Sequence, residues 1–282
     1  MAADLSLDAL IDLALAEDLG AAGDITTDAL VPPGAQGRAE LWAKERMVLS
    51  GLGAFAHTFR RVDPTCEVQL ALADGARTGA KQLVGTVTGP LRSLLIAERP
   101  ALNIVQRTSG IATATAAALK TLKKGSRLKV LDTRKTSPGM RALAKAAVRH
   151  GGGTNHRFGL FDGVLIKDNH IAAVGGDVAE ALRRAKAHAP RLVKIEIEVT
   201  SLEQLEVVLA EGADVVLLDN FNDRQVAQAM KRIAGKLEVE VSGRVTPERL
   251  PKLDALGVDF VSMGALTHSA RSVDLSLELS LA

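Results

Sequence analysis

KIEIEVTSLEQLEVVLAEGADVVLLDN, Lys194 to Asn220, reads as a strand, a helix and a second strand. In the first six residues Ile195, Ile197 and Val199 alternate with Lys194, Glu196 and Glu198. One face of that strand is therefore apolar and the other charged. Ser201 is placed to cap a helix over SLEQLEVVLAEG, which stops at Gly212. VVLLD, bounded by Ala213-Asp214 and Asn220, reads as a buried strand. A helix joining two such strands at this spacing predicts a parallel pair.

Working outward, the same rhythm recurs. LKVL (128–131), GVLIK (163–167), EVEVS (238–242) and FVSMG (260–264) are further strand candidates. GDVAEALRRAKAHA, DRQVAQAMKRIAG and TPERLPKLDALG read as intervening helices with capping residues at one end or Gly at the other. Six parallel strands would suit an α/β barrel, whose chemistry sits at the C-terminal strand ends. The first 108 or so residues differ. An amphipathic helix (MAADLSLDALIDLALAEDLG) and a turn-rich stretch precede short alternating runs bounded by Gly and Pro. These predict a small antiparallel sheet with helices on one face. ERPALNIVQRTSGIATATAAALKTLKK reads as helix, broken around Ser109-Gly110.

The apolar strands fix which faces matter. Helices cover a barrel's outside, so Ile195, Ile197 and Val199 should point outward and the charged set inward. Buried carboxylates need a partner. Glu198, nearer the mouth, is the functional candidate, and Glu196 is expected to be a deep partner of Lys194. Other strand ends supply Asp132, Arg134, Lys135 and Arg141; Lys167, Asp168, Asn169 and His170; Asp219 and Asn220; Ser242 and Gly243; and Met263, Gly264 and Ala265. Arg and Lys at successive strand ends suit carboxylates or phosphates. The glycines after the last two strands suit a phosphate, or ordinary tight turns.

Composition narrows the ligand. Net charge is only +2, yet residues 99–170 hold fourteen Lys and Arg against three Asp and Glu. A local anion is indicated rather than a polyanion. Aromatics make up 2% of the chain, with no tyrosine, which argues against a base-stacking nucleic-acid surface. Cys66 is the single cysteine, so no internal disulfide or cysteine metal cluster can form, and a cytoplasmic location is expected. No apolar run approaches the ~20 residues of a membrane span. His150, His170 and His268 lack zinc-motif spacing.

The blocks EDLGAAGDITT, ERPALNIVQRTSGIAT, DTRKTSPGMR, AVRHGGGTNHRFGLFDGVLIKDNHI, IEIEV, LLDN and VDFVSMGALTHSA follow in this order over nearly the whole chain. Together they resemble the quinolinate phosphoribosyltransferase family. The resemblance implies an N-terminal α/β sandwich (1–108) and an open six- to seven-stranded α/β barrel (109–267), with the tail 268–282 returning to the sandwich. It implies transfer of phosphoribosyl from phosphoribosyl pyrophosphate to quinolinate with decarboxylation, giving nicotinate mononucleotide, pyrophosphate and CO₂ with Mg²⁺. It also implies a homodimer or larger assembly in which Arg99 reaches the neighbouring site. By matching position, Thr133, Arg134, Lys135, His156, Arg157 and Lys167 belong to the quinolinate side. Glu198 and Asp219 belong to the ribose and Mg²⁺ side. Ser242, Gly243, Arg244, Met263, Gly264 and Ala265 belong to the phosphate side. Lys135, Lys167, Glu198 and Asp219 are the implied catalytic set.

Two departures stand out. The serine is usually followed by two glycines, and Arg244 occupies the second place. Arginine there is strained if the position needs a positive φ, and could add a phosphate contact. Pro100 follows Arg99, where a first helical turn would tolerate it. Two other readings remain: a related pyridine-base phosphoribosyltransferase, and a non-catalytic anion-binding barrel.

Overall fold

The computed structural model describes residues 5–281. It opens with α1 (Leu5–Leu19) and α2 (Ile25–Leu30), followed by β1 (Gln36–Ala43), β2 (Met47–Val48) and α3 (Leu52–Val62). β3 (Glu67–Leu70), β4 (Arg77–Thr78) and β5 (Gln82–Pro90) lead into the long α4 (Leu91–Leu119). Then come β6 (Lys129–Leu131), α5 (Arg141–His150), β7 (Val164–Ile166), α6 (Asp168–Ala173), α7 (Val178–His188), β8 (Ile195–Val199) and α8 (Leu202–Glu211). β9 (Val215–Asp219), α9 (Asp223–Ile233), β10 (Glu238–Ser242), α10 (Leu250–Ala255), β11 (Phe260–Ser262), α11 (Ala265–His268) and β12 (Leu275–Leu281) complete the chain. Among the described residues, no helix is long and apolar enough to cross a membrane.

Two compact units emerge. The first comprises Met1–Ala116, Thr136–Gly152 and Thr267–Ala282, and the second Ala117–Lys135 and Gly153–Leu266. In the first, an antiparallel sheet runs β12-β1-β5-β3. The chain's end thus pairs with β1, Leu41 opposite Leu277. Alternate β1 residues Ala39, Leu41 and Ala43 are buried with Phe55 and Phe59 of α3 and Leu94, Ala97 and Val105 of α4. The turn-rich stretch contains α2, capped by the Asp24 carboxylate, which accepts from the Thr27 amide.

Residues 136–152 group with this first unit, although the strand rhythm placed them in the barrel. Ala144, Ala147 and Val148 of α5 pack with Ile111, Ala112 and Ala116 of α4, and that apolar face sets the grouping. α4 itself is unbroken from Leu91. The expected interruption at Ser109-Gly110 is absent. Gly110 serves a close approach instead: a Cβ there would lie 2.0 Å from the Arg271 carbonyl oxygen. Pro100 is likewise inside the helix, not in its first turn, so the Ile96 carbonyl has no amide to accept from at that position.

The second unit is built on the six predicted strands, all parallel, in the order β6-β11-β10-β9-β8-β7. A lone parallel bridge from Leu131 to Thr154 adds a seventh extended piece beside β6. Ile195, Ile197, Val199, Val216, Leu218, Val239 and Val241 form one apolar face against Leu182, Leu205, Val208, Val226, Ala229 and Leu253 of the helices. Each such buried aliphatic side chain contributes roughly 1.5–3 kcal/mol. The opposite strand face mixes buried apolar Leu131, Val215 and Leu217 with Glu196 and Glu240, and side chains from β8, β10 and the segment before β7 meet on it: an open α/β barrel.

Candidate active site

The site grows from the C-terminal ends of these strands. β7 is followed by Lys167, whose amide donates to His170 Nδ1 at 2.9 Å, fixing the start of α6. The Lys167 ammonium lies 3.2 Å from Glu198 Oε2, which faces inward from the adjacent β8. On β9, Asp219 accepts from the Asn220 side-chain amide at 2.6 Å. Asn220 is held at φ 57°, a left-handed conformation that asparagine tolerates better than most residues. Glu198 and Asp219 thus place carboxylate oxygens at the ends of neighbouring strands, a donor type suited to a hard divalent cation.

The cations gather after β6 and before β7. Asp132, fully buried at the end of β6, accepts from the His156 amide at 2.9 Å and the Asn155 side chain at 2.5 Å. It is an organiser of the following loop. Arg157 donates to the Gly163 carbonyl at 3.0 Å, and Asp162 accepts from the Phe158 and Gly159 amides, closing the turn that carries it. Burial, and then the neighbouring Arg134 guanidinium, hold Arg157 below the ordinary arginine range. Two half-buried guanidinium groups close enough to repel favour an anion between them. Thr133 accepts from the Lys135 amide at 3.1 Å, so Lys135 is exposed at the same strand end.

Below them lies a cluster that strand-end reading did not assemble. His156 Nε2 is 3.1 Å from Glu196 Oε2 and 3.5 Å from Glu240 Oε2. The expected Lys194–Glu196 pair is not formed. Lys194, at the N-terminal end of β8, reaches outward to Glu238 at 2.5 Å, because its long stem can take the ammonium to water there. Burial, and then the charge of Glu196, push the Glu240 carboxyl up to about 8. The missed signal was EVEVS, which repeats the alternation of IEIEV and so sends Glu240 to the same inner face.

At the ends of β10 and β11, Ser262 Oγ donates to Ser242 Oγ at 3.0 Å. Gly243 takes φ 93°, and a Cβ there would lie 2.7 Å from the Asn220 backbone nitrogen. Arg244 is exposed and does adopt a positive φ, 51°. The position is one that glycine fills without strain, at a cost of about 1–2 kcal/mol for arginine. The Met263 amide donates to the Leu131 carbonyl at 3.0 Å, aligning the turn through Gly264 to Ala265, where α11 begins.

Some expected residues lie outside this set. Arg99 is exposed on α4 in the first unit, 3.9 Å from Glu98. Arg141, at the start of α5, donates to Thr136 and groups with the first unit. His150 pairs with Ser50, and His268 with Ser269.

Comparison with known proteins follows the same lines. Residues 111–278 match the family described as the C-terminal domain of quinolinate phosphoribosyl transferase, and residues 24–109 match its N-terminal domain. A nicotinate-nucleotide pyrophosphorylase (carboxylating) of Mycobacterium leprae is 44% identical over 287 residues, covering 99% of this chain and 100% of the relative. A probable enzyme of the same name from Bacillus subtilis is 40% identical over 278 residues, covering 98% and 94%. Among solved structures, NadC from Streptococcus pyogenes superposes with a TM-score of 0.92 at 42% identity, covering 98% of this chain and 97% of that one.

Proposed function

The chain belongs to the quinolinate phosphoribosyltransferase family, and from that premise we propose that it transfers phosphoribosyl to quinolinate with decarboxylation, a reaction of NAD biosynthesis. The observations that support the reading are the mutually repelling, half-buried Arg134 and Arg157 guanidinium groups and the Lys167 ammonium against Glu198 at the end of β7. One charge pair at ~4 Å is worth about 4 kcal/mol at an intermediate effective dielectric. Several cations together select a dicarboxylate over a monocarboxylate, which favours quinolinate over nicotinate.

The chemistry divides among the groups by charge. Arg134, Arg157, Lys135 and Lys167 hold the two carboxylates and orient the ring nitrogen. That nitrogen attacks the ribose C1, and the bond from C1 to the pyrophosphate oxygen breaks with its electron pair leaving on pyrophosphate. Glu198 and Asp219 favour the positive charge that develops on the sugar. Their oxygens also fit Mg²⁺, which when bound neutralises pyrophosphate. The ring nitrogen is now cationic. The adjacent carboxylate departs as CO₂, its bonding pair stays on C2, stabilised by the neighbouring positive nitrogen, and a proton replaces it.

Ser242, Gly243 and the turn at Met263, Gly264 and Ala265 are assigned to the ribose 5-phosphate. Arg99 is assigned to the site of a neighbouring copy in a homodimer or larger assembly. Incubation with quinolinate, phosphoribosyl pyrophosphate and Mg²⁺ should release nicotinate mononucleotide and CO₂ in equal amounts. Turnover of nicotinate without CO₂ would identify a different pyridine-base enzyme. Binding of quinolinate without turnover would identify a non-catalytic barrel.

Arg244 gives a sharper test of the phosphate assignment. Arg244→Gly relieves about 1–2 kcal/mol of backbone strain and loses part of that gain, about 0.4–1 kcal/mol, to the freer unfolded chain. A small rise in melting temperature is expected. The KM for phosphoribosyl pyrophosphate should rise about three- to tenfold as one phosphate contact is lost. Unchanged kinetics would remove Arg244 from the phosphate side.

A further inference from the structure

The connection from β9 to α9 is short and held at every residue. Asn220, Phe221 and Asn222 alone separate Asp219 from the first residue of α9. The Asn220 amide donates to the Ser242 carbonyl at 3.1 Å, one step beyond the Asp219–Ser242 pair that ends the β9–β10 ladder. Phe221 is buried in the apolar layer, and its carbonyl accepts from Arg249 at 2.6 Å, whose guanidinium also holds Asp223 at 2.8 Å. Asn222 caps α9: its Oδ1 accepts from the Gln225 amide and its own amide donates to Gln225 Oε1, both at 3.0 Å. With both flanks fixed, the chain turns at Asn220, which takes φ 57°.

That conformation points to a role. Among the described residues four non-glycine residues have a positive φ, namely Lys81, Asn220, Ala234 and Arg244, and two of these stand at the ends of the adjoining strands β9 and β10. Such strain persists only where the surrounding structure over-determines it, and it gathers at binding and catalytic sites. The Asn220 side chain spans the same two strand ends. Its Nδ2 donates to Asp219 Oδ2 at 2.6 Å. Its carboxamide lies against Gly243, where a Cβ would fall 2.7 Å from Asn220 Cγ and closer still to Oδ1. The glycine therefore leaves room for the carboxamide, and the charge-assisted bond fixes the Asp219 carboxylate through one oxygen.

We propose, resting on the phosphoribosyltransferase reading, that Asn220 is a positioning residue for phosphoribosyl pyrophosphate: its carboxamide, seated against Gly243, holds the Asp219 carboxylate at a set place relative to the turn assigned to the ribose phosphate. One side chain thus spaces the ribose side from the phosphate side. The role is not core packing, because Asn220 is exposed. Asparagine combines tolerance of the left-handed backbone with a donor that reaches the carboxylate of the preceding residue. Glycine and aspartate share the tolerance and lack the donor.

The test uses those two replacements in the full chain. Asn220→Gly keeps the backbone and removes the carboxamide. Asn220→Asp keeps backbone and shape, and sets a second carboxylate against Asp219. In both, the KM for phosphoribosyl pyrophosphate should rise about 10- to 100-fold, the scale of a displaced binding group. The quinolinate KM should stay within about threefold of the parent, and the melting temperature should hardly move, as for other exposed positions. The calorimetric Kd for phosphoribosyl pyrophosphate should follow its KM and needs no turnover. Should a variant melt early, that Kd, measured below both melting points, decides. Parent-like affinity in Asn220→Asp would mean that shape suffices and the donor does nothing, which overturns the proposal. Parent-like affinity in Asn220→Gly, or equal losses for both substrates, would overturn it as well. A parent that neither turns over nor binds phosphoribosyl pyrophosphate removes the reaction reading and this proposal together, whereas an active parent matched by its variants removes the proposal alone.

Discussion

Lys167→Met is expected to lower kcat/KM for quinolinate by about 10²- to 10³-fold, the scale of losing one preorganised charge aimed at the reacting group. The Lys167 ammonium, at the end of β7, lies 3.2 Å from the Glu198 carboxylate. Removing the ammonium takes one cation from the dicarboxylate and leaves Glu198 to repel it. Stability should hardly change, because the lysine is 47% exposed and such pairs contribute about 0–1 kcal/mol. Steady-state kinetics beside a thermal melt separate the two effects. A loss below about tenfold in a folded variant would place Lys167 outside the reacting centre.

Gly243→Ala should strike the other substrate. Its φ of 93° disfavours any side chain, and the new Cβ would lie 2.3 Å from Asn220 Oδ1 and 2.7 Å from the Asn220 backbone nitrogen. Backbone cannot yield as a flexible side chain does. Asn220 must shift, and Asp219 beside it, whose carboxylate accepts from the Asn220 amide. The KM for phosphoribosyl pyrophosphate should rise about 100-fold, as expected when a site is displaced by about 1 Å. Stability should fall by about 1–3 kcal/mol. Gly175 provides the control: its φ is 78°, but nothing lies within 4 Å of its Cβ position. Gly175→Ala should show the conformational strain without the kinetic loss. Equal kinetics in the two variants would mean that the Gly243 turn does not shape the phosphate side.

The six barrel strands were legible because each is a local pattern. Period-two alternation in KIEIEV and EVEVS, apolar runs such as VVLLD, and caps such as Ser201 and Asp177 act over a few residues. The same locality misplaced the start of the long helix. A stretch read from Glu98 made Pro100 a first-turn residue, whereas α4 begins at Leu91 and carries the proline within it. Gly110 looked like a break because its reason, the carbonyl of Arg271, is 161 positions away in the chain.

By itself, then, the sequence determined the family, the parallel second unit and the strand ends from which Arg134, Lys167, Glu198 and Asp219 project. These rest on short-range periodicity and on long ordered blocks. Tertiary structure alone decided that Lys194 turns to Glu238, that Arg244 is left-handed, that α5 packs on α4, and that Glu196 and Glu240 converge on one imidazole nitrogen. Each of these depends on which distant segments share a desolvated space. Whether a buried carboxylate meets a cation, a proton or another carboxylate is set by that neighbourhood, not by the alternation that sends it inward.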